Sequence, residues 1–311
     1  MRFAVMPFTN AALRREGIAR TSRRSFLTAL LLTAGPVVRG WAETAVPSAP
    51  VAGSGRKLAL RIKLAGFGGA SEADIKAVLR SAAGEIWQHC PNTRFRQPGF
   101  EIYHNSKFPI THYEPSSDGY VVIGLAVEGN LWARFAYQFA HEFTHALMDH
   151  SNDPAKLWHK LEHANQWLEE SLCEMGSLFS LRAMAQTWQT QPPYPNWKGY
   201  AASLADYVTK HLADPKHQLP ERRTFAAWFA AEEPELRQKW AQRDKNTIIA
   251  RQLLPLFEAE PRGWEALPSL KLGTHDAAKP LAKHLTEWSA HAPPQQRAFI
   301  SRCAAVFGVK A

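Results

Sequence analysis

Cysteine is scarce in this chain: Cys90, Cys173 and Cys303 are all there is in 311 residues. That excludes a disulfide-framed scaffold. An oxidising compartment would permit one bridge, and Cys90–Cys303 is the pair lying outside the motif-bearing helices, whereas Cys173 reads as a small buried residue. Long apolar runs are missing too. The best candidate, Phe26 to Val38, is about 13 residues, short of the roughly 20 that a spanning helix needs. No G-x-G-x-x-G and no G-K-[ST] occurs, so Gly66-Phe67-Gly68-Gly69 reads as a strand-to-helix turn rather than a phosphate cradle. Internal repeats and low-complexity tracts are also absent. Even the basic charge is thin. Of the formal +9, +6 lies in residues 1–42, and a remainder of +3 gives no reason to expect nucleic acid as a partner.

Residues 1–42 read as an export signal. Ser22-Arg23-Arg24-Ser25-Phe26-Leu27 matches the twin-arginine pattern, the short apolar run follows, and Gly40-Trp41-Ala42 offers a small-residue cleavage site. This implies the twin-arginine export machinery as a partner, a periplasmic or secreted destination, and no stable membrane association after cleavage. Residues 43–56, rich in Ala, Pro, Ser and Gly, read as a flexible linker.

The remainder, 45% apolar over the whole chain, has the content for a real core. Alternation predicts a strand over Lys57–Leu64, and Ser71 with Asp74 predicts a capped helix from there to about His89. Shorter strands are expected over Phe100–His104 and Phe108–Tyr113, and a better one over Tyr120–Val127. If that last strand lies at a sheet edge, its free backbone groups can pair with an extended peptide. Helices are expected from Leu131, from about Ala164 to Gln186, and near 197–213, 222–241, 245–258, 277–290 and 294–307. Trp87, Trp188 and Trp288 sit at apolar helical positions and read as core.

The chain's chemistry concentrates in His141-Glu142-Phe143-Thr144-His145. Histidines four apart stand one turn above each other on a helix, so both rings can reach one metal ion, and Glu142 can reach a water beside it. Leu131, Phe135, Phe139, Phe143, Ala146 and Leu147 give this helix a buried apolar face. A catalytic zinc wants a third protein ligand. His150 is one residue short of the metzincin spacing, and Gly273-Thr274-His275-Asp276 echoes the aspzincin motif far downstream. The pair His159 and His163 has no acid placed as Glu142 is, and reads as a solvated linker.

Trp167-Leu168-Glu169-Glu170-Ser171-Leu172-Cys173-Glu174 resembles the second site helix of gluzincins, the group of thermolysin and the aminopeptidases. The resemblance spans roughly Tyr120 to Leu181. It implies Glu170, 25 residues after His145, as third ligand, and Glu174 as the acid that hydrogen-bonds a ligand histidine. Glu169 stands where the family has Asn, which keeps it in contention as the ligand. The family also uses a donor from the C-terminal half to steady the oxyanion, for which Tyr200, Tyr207 and His211 are candidates.

The expectation is an α+β chain with a zincin-like catalytic domain over 57–190, a small mixed sheet plus active-site helices, and an all-helical C-terminal half over 191–311. Its implied activity is zinc-dependent hydrolysis of peptide bonds in a peptide or protein substrate, with Glu142 as general base and zinc on His141, His145 and Glu170. Residues 119–130 hold a single acid, Glu128, to grip a substrate amine, which favours an endopeptidase. An amidase acting on cell-wall peptides, or a zinc-binding scaffold without activity, is the alternative.

Overall fold

Four strands and eight α-helices, interleaved, organise the described residues. The computed structural model describes residues 58–153 and 163–310; the twin-arginine stretch, the linker of 43–56 and His159 lie outside the described residues. The architecture is α+β.

Strand β1 (Leu60–Lys63) is shorter than its alternation predicts. Leu64 is 46% exposed, and the chain turns at once, with Phe67 N–H donating to the Leu64 carbonyl at 3.3 Å. Gly66 makes that turn at φ +91°, where a Cβ would strike the His104 ring. Helix α1 (Glu72–Trp87) starts as expected, with the Ser71 hydroxyl accepting from Asp74 N–H at 3.1 Å. It buries Ile75, Val78, Leu79, Ala82 and Ile86 and serves as the crossover that parallel strands require.

Strand β2 (Phe100–His104) pairs in parallel with β1 on one side and with β4 (Val121–Leu125) on the other. Strand β3 (Ile110–Thr111) closes the sheet antiparallel to β4, giving the order β1-β2-β4-β3. The strand before the metal-motif helix is therefore interior, not an edge. Both its backbone sides are spent on β2 and β3, and the free edge near the motif belongs to β3, which is two residues long where 108–113 was expected. Pro109, with no N–H to donate, stands immediately before it.

Helix α2 (Trp132–Asp149) lies beneath this sheet, with Phe100 ring centroids 6.1 Å from Phe139 and 5.7 Å from Phe143. Truncating either phenylalanine to Ala would cost about 3–5 kcal/mol. Helix α3 (Gln166–Thr187) packs on α1 and α2 as well as on two helices of the C-terminal half, α4 (Ala201–Ala213) and α6 (Arg243–Ala259). Almost every residue of α2 and α3 is buried, so their polar side chains must be paired or chemically employed. The two helices approach closely at Gly176, where a Cβ would stand 2.3 Å from Thr144 Oγ1.

Around this pair stand α5 (Phe225–Leu236), α7 (Leu281–His291) and α8 (Arg297–Val306). Short 3-10 turns fill places where longer α-helices were expected: Pro195–Tyr200 before α4 and Pro294–Gln296 before α8. Two further 3-10 stretches, Pro215–His217 and Pro261–Ser269, were not foreseen. Trp87 is half-buried, and Trp188 and Trp288 are in the core. All three cysteines are free and buried, so the Cys90–Cys303 bridge is not formed. The Cys90 thiol, just past the end of α1, instead faces the Ile86 carbonyl at 3.8 Å. Among the described residues no helix is long and apolar enough to cross a membrane.

Candidate metal centre

His141 and His145 project from α2 toward the first turns of α3, their ring centroids 5.1 Å apart. Each imidazole turns its Nε2 to one carboxylate. Glu170 Oε2 lies 3.5 Å from Nε2 of His141, and its Oε1 lies 3.4 Å from Nε2 of His145. Zinc bonds of about 2.0–2.1 Å at tetrahedral angles set neighbouring ligand atoms about 3.3–3.4 Å apart. Each spacing is that of two ligands on one ion, with a different Glu170 oxygen facing each imidazole. The opposite nitrogens face two other acids of α3: His145 Nδ1 meets Glu169 Oε1 at 2.8 Å, and His141 Nδ1 is 3.6 Å from Glu174 Oε2. Both ring nitrogens of His141 are buried without a well-formed hydrogen bond. Such orphaned groups carry a large desolvation cost unless something else engages them.

Cys173 adds a donor that the sequence reading had placed in the packing. It sits three residues after Glu170, on the same helix face, and the buried group His141, His145 and Cys173 can hold a metal ion, their donor atoms all lying within 4.8 Å of one another. Two third donors are thus available. Glu170 faces each Nε2 with a separate oxygen, whereas the Cys173 sulfur is one atom lying within 4.8 Å of a nitrogen from each histidine.

The electrostatics favour a cation between the rings. Burial pulls the His141 imidazole down, but Glu170 and Glu174 outweigh it and leave it raised; burial is likewise outweighed at His145, where Cys173 and Glu170 raise it well above the usual range. Burial pushes Glu170 up, yet His145 and His141 hold it far below a normal carboxylate. Burial raises the Cys173 thiol despite the pull of His145. A divalent ion can take the place of the imidazole protons these acids demand.

Glu142 lies on the adjacent face of α2. Burial pushes its carboxyl up, against the pull of His141 and His145. Thr111 of the edge strand donates to Glu142 Oε2 at 2.9 Å and stands 2.8 Å from its carbonyl oxygen, while Oε1 is buried without a hydrogen bond. One carboxylate oxygen is held by the strand, and the other remains for a proton.

Glu174 is the anchor of a buried network. Its Oε1 accepts from the Tyr137 hydroxyl, from Thr247 Oγ1 at 3.0 Å and from His211 Nε2 at 3.0 Å, and Arg243 Nε is 3.9 Å from Oε2. Burial raises this carboxyl, but His141, His211 and Arg243 prevail and hold it well below its usual range. Glu169 is anchored by a cation from another segment: Lys271 Nζ, 2% exposed, is 2.6 Å from its Oε1 and 2.7 Å from Asp149 Oδ1. Lys271 and His145 overcome the effect of burial and bring Glu169 down to about 2.

The other sequence candidates fall elsewhere. His150 caps α2 and bonds the His112 carbonyl at 3.0 Å. Asp276 accepts from Ala278 N–H in its own turn. The Tyr200 hydroxyl accepts from Ala133 N–H, eight residues before His141. Tyr207 stacks on His211, and His211 is spent on Glu174, so each reaches the ion site only through that acid. His163 lies 5.9 Å from the ring of His284 and outside the cluster.

Thr111, Tyr137, Arg243, Thr247 and Lys271 were missed by sequence reasoning. Only Tyr137 carried a local signal, one turn before His141 on the same helix face. No family model, curated protein or solved structure matches the chain. The reading of the site therefore rests on its own chemistry.

Proposed function

We propose that the chain is an exported zinc metallopeptidase of the gluzincin kind, with a zincin-like catalytic half, holding zinc on His141, His145 and Glu170. The observation that carries this reading is the placement of Glu170 at 3.4 and 3.5 Å from the two Nε2 atoms, with Glu142 alongside. A zinc ion held there supplies Lewis acidity, activating a water and polarising a substrate carbonyl.

The rest is done by side chains. Glu142, raised by burial and held at one oxygen by Thr111, takes the water's proton on its other oxygen and passes it to the leaving amine. The edge strand β3 carries Thr111, so a peptide paired to that edge lies beside the base. Glu169 orients the His145 imidazole through its bond to Nδ1, and Glu174 stands 3.6 Å from Nδ1 of His141. Residues 22–27 direct the chain out of the cytoplasm through the twin-arginine route, and an endopeptidase acting on peptide or protein is the form favoured by the single acid in residues 119–130.

A second reading is favoured by Cys173. With its thiolate as a fourth protein ligand the coordination sphere is closed, as in structural zinc sites, and the chain is a zinc-binding scaffold. Glu142→Gln separates the two. A peptidase keeps its zinc in this variant and loses about 10²–10⁴ of its cleavage rate against a peptide library. Wild-type cleavage that survives the substitution undiminished would sink the mechanism; zinc at full stoichiometry with no cleavage in either protein selects the scaffold.

A further inference from the structure

Lys271 has no part in the chemistry just described, yet it is among the most enclosed charges in the described residues. A buried ammonium is tolerated only where carboxylates surround it. Two do. Asp149 comes from α2, four residues after His145, and Glu169 comes from α3, immediately before Glu170. The cation itself arrives from the segment following the 3-10 stretch of Pro261–Ser269, more than a hundred residues away in sequence. One oxygen, Glu169 Oε1, receives both Lys271 Nζ at 2.6 Å and His145 Nδ1 at 2.8 Å. An ionised carboxylate oxygen has lone pairs for both.

We propose that Lys271 is a positioning residue for the metal centre: by pinning Glu169 Oε1 against His145 Nδ1, it fixes that imidazole in its Nδ1–H tautomer and presents the Nε2 lone pair toward Glu170. The use made of that lone pair rests on the zinc reading above; the tautomer does not. Without the ammonium, Glu169 Oε1 loses one of its two donors, and the carboxylate is free to turn away from Nδ1 whether or not Asp149 keeps its charge. The ring is then free to take the Nε2–H form, which points a hydrogen at Glu170 and cannot ligate. A carboxylate at this nitrogen makes a stronger acceptor than a neutral amide, and Lys271 is what allows a second buried acid to sit beside Glu170.

Two measurements on the full chain test this. Imidazole-¹⁵N NMR of the metal-free protein, followed upward in pH until His145 keeps a single ring proton, reads its tautomer, and competition against a chelator reads zinc affinity. The variants are Lys271→Met, Lys271→Arg, and Lys271→Met with Asp149→Asn, which removes one charge of each sign and stays foldable if the single variant does not. Wild type and Lys271→Arg are expected to show the Nδ1–H form with a low-field proton and zinc affinities within about threefold of each other. The double variant is expected to show mixed tautomers and about 10–100-fold weaker zinc binding, the size of effect usual for a lost outer partner. A merely structural lysine would lower stability and leave the tautomer unmoved. Failure of the wild type to bind zinc would overturn the metal reading and leave the tautomer to decide for Lys271. A folded double variant that keeps the wild-type His145 tautomer overturns the proposal.

Discussion

Replacing Gly176 by Ala should disturb the metal site from outside it. The two helices that carry every proposed ligand touch at this glycine, and the added methyl would stand 2.3 Å from Thr144 Oγ1 and 3.3 Å from the Trp264 ring. Ordinary contact begins near 3.4 Å, so about an ångström must be found. Thr144 cannot rotate away freely, because its hydroxyl donates to the Ala140 carbonyl at 2.8 Å. Ala in a helix is favoured over Gly by about 1 kcal/mol, whereas overpacking a tight core costs about 1–3 kcal/mol. An ångström-scale clash puts the cost toward the upper end of that range, and Gly176→Ala should destabilise by up to about 2 kcal/mol in denaturant unfolding of the metal-free protein. Thr144 lies between His141 and His145, so zinc affinity should fall as well. Thr144→Ala removes the struck oxygen. The double variant Gly176→Ala, Thr144→Ala should recover most of the loss, a coupling of about 1 kcal/mol or more between the two sites. Equal stability in Gly176→Ala and wild type, or strict additivity in the double variant, would refute this account of the helix contact.

The two rival third donors are separated by metal analysis: Glu170→Ala should lose zinc, Cys173→Ala should retain it, and the reverse result would assign the thiol as ligand. Glu174→Ala should weaken zinc binding by about 10–100-fold, read by chelator competition, with no effect placing the His141 contact outside the metal site. His284 supplies a pH test. Burial, then Lys279, lowers this imidazole to about 4. The unfolded chain binds its proton near 6.5 while the native chain does not, so the stability contribution is present above 6.5 and lost as pH falls toward 4, by up to about 3 kcal/mol. His284→Gln should flatten the fall in stability between those two pH values, measured against wild type by urea unfolding. Arg23→Lys with Arg24→Lys should hold the precursor in the cytoplasm, and normal export of that variant, followed by cell fractionation, would remove the twin-arginine assignment.

What the sequence determined by itself is what periodicity encodes over a few residues. The spacing of His141 and His145 places both rings on one face of any helix, and Glu170 with Glu174 share a face in the same way, so each half of the site was legible within its own helix. The Ser71 cap, the α+β class and most helix positions belong to the same kind of signal. Strand boundaries were less legible, because β3 and β1 are cut short by Pro109 and by the turn at Gly66, and no pattern of alternation says which strand lies at an edge. Only the tertiary structure decided how the halves meet. It set Glu170 against both Nε2 atoms, brought Cys173 within reach of them, and tied Glu142 to Thr111. It also delivered Thr247 and Lys271 to acids 73 and 102 residues away. Such contacts form because a buried carboxylate must find a partner wherever the packed chain offers one, and nothing in the neighbouring sequence records which segment that will be.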